Sequence, residues 1–315
     1  MILTTGIMRA IARSHPTIQL DVLASPLNAP IIDGAEFVHD VITISIKGPS
    51  TYWRAIRRMR RARYDAVIDC MPTGGSVTTL LLMAASGARY RIGVDKRGND
   101  DAFDINVPND NRVEAHIIEC LTPLVLPFGV QPGPEVQQPV LTLRSGERDG
   151  ADAIWGSDAQ SPARPQRLLM NISAGTSRRD WADENYIAVA RHLRALSPAG
   201  TLLLIAAPTD VLRAERVARE GGATYVRTPS LRSALALVAT ADFLFTPDTS
   251  IAHAASAFRT PCVAMHPQGM AARWALWGTI GRTVEHSEYT LATFPVSRAL
   301  SAIDDVWREA GLSRA

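Results

Sequence analysis

Phe243-Leu-Phe-Thr-Pro-Asp-Thr-Ser-Ile-Ala-His253, followed after a few residues by Cys262-Val-Ala-Met265, decides the fold. Residues 243–246 form a short apolar run of the kind that makes a strand buried on both faces. Pro247 biases Thr246 toward extended backbone. Asp248 and Thr249 then stand where a helix N-cap belongs, and the helix is expected over Thr249–Ala257. A second apolar strand begins at Cys262. Strand, tight turn, helix and strand make a βαβ unit, and such units imply a parallel sheet.

The same alternation extends outward in both directions. Upstream, strands are expected at Arg167–Ile172, Leu202–Ala206 and Thr224–Val226, with helices at Asp183–Leu196, Thr209–Glu220 and Ser230–Ala239. A last helix is expected over Val296–Ala310. The first half repeats the pattern with strands at Ile18–Leu23, Val41–Ile44, Asp65–Cys70 and Tyr90–Gly93. Its helices are expected at Pro26–Ile32, Tyr52–Arg63, Ser76–Ser86 and Val113–Leu126. Gly129–Arg167, rich in Pro, Gln, Gly and Asp, reads as the boundary, with a strand around Val140 and a helix over Gly146–Trp155. The expectation is α/β: residues 1–150 and 165–295 as two Rossmann-like domains with parallel sheets facing a cleft. The helix in 296–315 is expected to pack back on the first.

Composition agrees with a soluble, two-domain globular protein. The 315 residues exceed one typical core, 46% are hydrophobic and 20% charged. No run approaches the roughly 18 apolar residues of a membrane span, and Met1-Ile-Leu-Thr-Thr5 lacks the basic start of a secretory signal. A net charge of +2 is too balanced for a general polyanion binder, and no nucleic-acid motif is present. Cys70, Cys120 and Cys262 are odd in number and far apart, as buried thiols of a cytoplasmic protein would be.

Ligands of open α/β sheets bind beyond the carboxyl ends of the strands. Three junctions in the second half carry suitable residues. After the strand at 167, Ser173, Ala174, Gly175 and Thr176 allow close backbone approach, and Arg178 and Arg179 add cationic forks. A solvated surface loop is the plainer alternative. At Asp248, Thr249 and Ser250 a helix N-terminus with hydroxyls favours an anion, and His253 lies one turn further in. Ordinary capping with a core histidine competes. Asp210, after Ala207-Pro-Thr, reads either as the cap of the next helix or as a ribose contact.

Taken together, these junctions resemble glycosyltransferase family 9, the lipopolysaccharide heptosyltransferases, which have the GT-B fold. Tyr64-Asp-Ala-Val-Ile-Asp69, Leu80–Ser86 and Gly87-Ala-Arg-Tyr-Arg-Ile-Gly93 resemble the family's first domain, as does His116 with Glu119. Asp248-Thr249-Ser250-x-x-His253, with Thr260-Pro261 beyond it, is the most specific match, although the family usually has Gly at the position of Ser250. The resemblance implies that Ser173 to Thr176 line a sugar-nucleotide pocket and that Arg179 contacts the diphosphate in place of a metal. It implies Asp210 at the ribose and Ser230 beside the nucleobase. Asp248, Thr249, Ser250 and His253 would hold sugar and diphosphate. It implies an inverting transfer of a heptose or related sugar from ADP-heptose to a lipopolysaccharide core-type acceptor, with no cofactor and no metal.

The opening residues match the family's second segment, so the first strand and the loop carrying the family's catalytic base are expected to lie upstream of Met1. A catalytically inactive sugar-nucleotide binder is the alternative. A nicotinamide-dependent oxidoreductase is disfavoured, because Thr73-Gly-Gly-Ser76 lacks the dinucleotide glycine spacing. Arginines surround Trp53, Ile56 and Met59 on the helix at 52–63, which suits plain solvent exposure, docking on anionic lipid head groups in a peripheral contact with the inner membrane, or contact with an acceptor's phosphates.

Overall fold

The computed structural model describes residues 1–45, 47–71, 76–95, 100–109, 115–156 and 164–313. Val113 and Thr73–Gly75, which carried expectations above, lie outside that set. The chain divides into two compact units, Met1–Thr142 and Leu143–Ala315.

The first unit holds strands β1 (Asp21–Ala24), β2 (Asp40–Thr43), β3 (Ala66–Asp69), β4 (Tyr90–Val94) and β5 (Ile105–Val107). Its helices are α1 (Thr5–Ser14), α2 (Pro49–Ala62), α3 (Val77–Ser86), α4 (Ile117–Leu121) and α5 (Pro134–Gln137). All pairing is parallel, but the strands form two sheets, β1-β2 and β3-β4-β5. Helix α2 contributes buried Ala55 and Met59 to a cluster with Ile42 of β2 and Leu82 of α3. Gly6 in α1 lies so close to the carbonyls of Val136 and Gln138 that a Cβ there would collide with them.

Three local expectations change. The helix expected at Pro26–Ile32 is only a 3-10 turn over Ala29–Ile31. No strand forms at Val140, whose N–H donates to the Thr5 hydroxyl at 2.8 Å instead of to a neighbouring strand. The helix expected to run to Leu126 is α-helical only over α4, and Pro123 lies at the start of a 3-10 turn over Thr122–Phe128. His116 and Glu119 form a reciprocal capping box at the start of α4: the ring accepts from the Ile118 N–H, and the carboxylate accepts from the His116 N–H at 3.0 Å.

The second unit has strands β6 (Arg167–Asn171), β7 (Thr201–Ile205), β8 (Thr224–Tyr225), β9 (Phe243–Pro247), β10 (Cys262–His266) and β11 (Gly281–Glu285). Its helices are α6 (Glu147–Trp155), α7 (Asp183–Leu196), α8 (Val211–Gly221), α9 (Leu231–Thr240), α10 (Ser250–Phe258), α11 (Ala271–Trp274) and α12 (Val296–Glu309). The strands make one parallel sheet in the order β11-β10-β9-β6-β7-β8. Every residue of β6, β9 and β10 is buried, as their apolar sequences require. Strands β5 and β11 escaped the sequence reading because each is an edge strand mixing polar with apolar residues. The buried side of α12, including Ile303, Val306 and Trp307, joins the core of the second unit.

Candidate functional site

The strand order of the second unit reverses at one place. From β6 the chain moves outward to β7 and β8, then returns to the other side of β6 as β9, and continues to β10 and β11. Such a switch point leaves a crevice at the carboxyl ends of the two adjacent strands. The ends of β6 and β9 carry Asn171 with Ser173 and Thr246 with Asp248.

Buried polar side chains join the two ends. The Asn171 amide donates to Thr246 Oγ1 at 2.9 Å and lies 3.4 Å from Thr249 Oγ1. The Asn171 carbonyl accepts the Ser173 N–H at 3.3 Å. Thr249 is the N-cap of α10, accepting the Ile251 N–H at 3.2 Å. Ser250, the first helical residue, is exposed, and its N–H has no intrahelical acceptor.

Arg179 comes from the single 3-10 turn Ser177–Arg179 that follows β6. Its Nη1 donates to the Asp248 carbonyl at 2.9 Å, and its Nη2 lies 3.0 Å from the Asp248 carboxylate. The carboxylate is almost fully buried while the guanidinium stays a quarter exposed. Gly175 passes close enough that a Cβ there would lie 3.9 Å from Arg179 Nη1. Arg179 thus meets Asp248 twice, by a hydrogen bond to its backbone carbonyl and by an ion pair with its carboxylate. Arg178 is exposed and shares only the turn, so the two neighbouring arginines have different positions.

Ser173 ties in a third junction. Its hydroxyl donates to Asp210 Oδ2 at 2.5 Å and accepts the Ala207 N–H at 2.6 Å. Asp210 occupies the N-cap position of α8, but its side chain makes no cap hydrogen bond and instead accepts from Ser173. Ala174 is half-buried and Thr176 exposed. Ser230 is the N-cap of α9, accepting the Ser233 N–H at 3.1 Å, and it makes no bond to the other named residues. His253 is half-buried in α10, its ring 6.0 Å from that of Trp274.

One residue was missed. His266 ends β10, is fully buried, and places Nε2 3.5 Å from Asp248 Oδ1 and 3.2 Å from the Trp274 carbonyl. Burial pushes its pKa below the usual imidazole range, against the opposing pull of the Asp248 carboxylate and backbone hydrogen bonds. A titratable residue closing an otherwise apolar strand was the available signal. Asp248 is thus held between a cation and an imidazole. Among the described residues no group of three or more His, Cys, Asp or Glu could hold a metal ion.

Solved structures similar to the chain include a family 9 glycosyl transferase from Veillonella parvula, at 15% identity with a TM-score of 0.81, covering 98% of this chain and 93% of that one. The E. coli heptosyltransferase WaaC with ADP is 15% identical with a TM-score of 0.76, covering 97% and 95%. E. coli ADP-heptose lps heptosyltransferase II is 17% identical with a TM-score of 0.72, covering 99% and 96%. These likenesses show the GT-B fold. No match was found among curated proteins. The sequence profile of glycosyltransferase family 9 (heptosyltransferase) matches residues 52–299, which is most of the chain. The chain therefore belongs to glycosyltransferase family 9, and it is a glycosyltransferase of the heptosyltransferase type.

Proposed function

We propose that this glycosyltransferase moves a heptose from ADP-heptose to a lipopolysaccharide core-type acceptor at the cytoplasmic face of the inner membrane, with inversion at the anomeric carbon. The observation that carries the reading is the contact between Arg179 and Asp248 at the switch point, where a turn after β6 meets the N-terminus of α10. A nucleoside diphosphate leaves as an anion. The guanidinium of Arg179 and the backbone N–H groups at Thr249 and Ser250 supply stabilisation there without a metal. The choice of nucleotide is supported by two similar structures, one solved with ADP and the other an ADP-heptose lps heptosyltransferase.

In this reading Asp210 takes a ribose hydroxyl, and Ser173 fixes the carboxylate. Ala174, Gly175 and Thr176 form the wall along the diphosphate, and Ser230 borders the base. Asp248, Thr249, Ser250 and His253 orient the sugar and its phosphates. None of these residues is assigned as the base that deprotonates the acceptor.

Thermal stability with ADP, UDP and NAD tests the proposal. At a concentration 100 times its Kd a ligand adds about 2.7 kcal/mol. ADP is expected to raise the Tm most, and ADP-heptose with acceptor to release ADP. A larger shift with NAD would remove the donor assignment.

A further inference from the structure

We infer that helix α2 is a docking face for an anionic phospholipid surface. Between Asp40 and Asp65 the chain has seven basic residues and no acidic one, although its net charge is only +2. Four of the seven, Arg54, Arg57, Arg58 and Arg61, lie on one side of α2. Ala55 and Met59 are buried in the cluster beneath, with Ile56 and Tyr52 packed against it. Arg54, Arg57, Arg58 and Arg61, spaced i, i+3, i+4 and i+7, line one shared surface groove. Arg58 pairs with Asp40 and Arg60 donates to the Ala85 carbonyl at 2.9 Å. Arg54, Arg57 and Arg61 have no ion-pair partner among the described residues.

Apolar exposure on the same two helices selects lipid over other polyanions. Trp53, expected with Met59 on one face, is instead 64% exposed. Helix α3, packed beside α2, exposes Val77 and Leu81 at 72% and 65%. Guanidinium groups on a helix that exposes Trp53, with Val77 and Leu81 exposed on the helix packed beside it, match a membrane interface, where cations meet phosphates and aromatic rings lie among head groups. A nucleic-acid groove would have no use for aliphatic side chains presented to solvent. No helix among the described residues is long and apolar enough to cross a membrane, so contact of this kind is peripheral. The inference deepens the proposed function, since it rests on the reading of a membrane-borne acceptor for its purpose.

Co-sedimentation of the full chain with vesicles, of neutral phosphatidylcholine or with anionic phosphatidylglycerol added, tests it. Binding is expected only with the anionic lipid and is expected to weaken as salt rises. Replacing Arg54, Arg57 and Arg61 together by Gln is expected to lower partitioning by about 100-fold. Trp53→Ser is expected to remove the binding that survives in high salt. All four side chains are exposed, so the ADP-induced Tm shift should be unchanged in these variants. Equal partitioning of the wild type into both vesicles, undiminished binding by the triple variant, or binding of RNA in preference to anionic vesicles would overturn the inference. Vesicle binding without an ADP shift counts against the donor site alone. An ADP shift without vesicle binding counts against this surface alone.

Discussion

Six parallel strands run unbroken through the second unit, while the five strands of the first fall into sheets of two and three. The difference bears on where chemistry can be built. A continuous sheet fixes the carboxyl ends of β6 and β9 side by side, so Asn171 and Thr246, distant in sequence, meet at 2.9 Å. The opposite ends of the same strands carry ion pairs of a structural kind, Arg167 with Asp152 and Arg164 with Asp242. In the first unit the two-stranded sheet has little stability of its own and depends on the cluster that α2 closes over it. The candidate site of the second unit is therefore set in a continuous sheet, whereas the strands of the first unit have no such shared frame.

Hydrogen exchange gives the largest expected contrast. Amides of β6, β9 and β10 should exchange on the order of a thousandfold more slowly than those of β1 and β2, a difference of about 4 kcal/mol in opening free energy. Mass spectrometry of peptic fragments reads this directly. Equal protection in the two units would break the comparison.

The next contrast lies within one turn. Arg179→Ala removes a guanidinium that reaches Asp248, whereas Arg178→Ala removes an exposed one. Hydrogen bonds to charged groups contribute about 1.5–3 kcal/mol, so ADP affinity should fall by about 10- to 100-fold in the first variant. Titration calorimetry should find a much smaller loss in the second. Unchanged affinity in Arg179→Ala would detach the crevice from the diphosphate.

Much of this was legible in the residues. Apolar runs flanked by turn residues place β6, β7, β9 and β10 within a residue or so, and helix α7 falls at the expected Asp183–Leu196. The polar residues after those runs point to the switch point, because polar groups at the end of a buried strand need a partner or a ligand. What stayed hidden depends on pairing at a distance. Ser173 bonded to Asp210 could not be inferred from two turns separated by the helix α7 and the strand β7. His266 looked like the tail of a strand. Strand β11 lacks periodicity because only one of its edges is paired, and Val140 lost its strand to a hydroxyl of α1.

His266 supplies a pH test of the candidate site. Its folded pKa lies below the unfolded value of about 6.5, chiefly through burial. Below that value the unfolded chain binds the proton more readily than the folded one, so stability falls as pH drops. The slope from this one group is at most about 1.4 kcal/mol per pH unit. His266→Gln should flatten the Tm profile between neutral and mildly acidic pH, and the loss should be confined to the second unit. An unaltered profile would mean that the imidazole by Asp248 is not the titrating group.

The smallest effect should come from Ser173→Ala. It removes the hydroxyl that donates to Asp210 and accepts from the Ala207 N–H. The Asp210 carboxylate is only partly buried, so solvent replaces much of the lost bond, and the stability cost should be about 1 kcal/mol. If Ser173 positions Asp210 for a ribose hydroxyl, ADP affinity should fall by about tenfold while the affinity for inorganic pyrophosphate stays the same. Asp210→Asn should then repeat the loss for ADP, and adding Ser173→Ala to it should cost little more, because both act on one contact. Independent, additive losses would separate the serine from the carboxylate and leave the switch point with a diphosphate site but no ribose site.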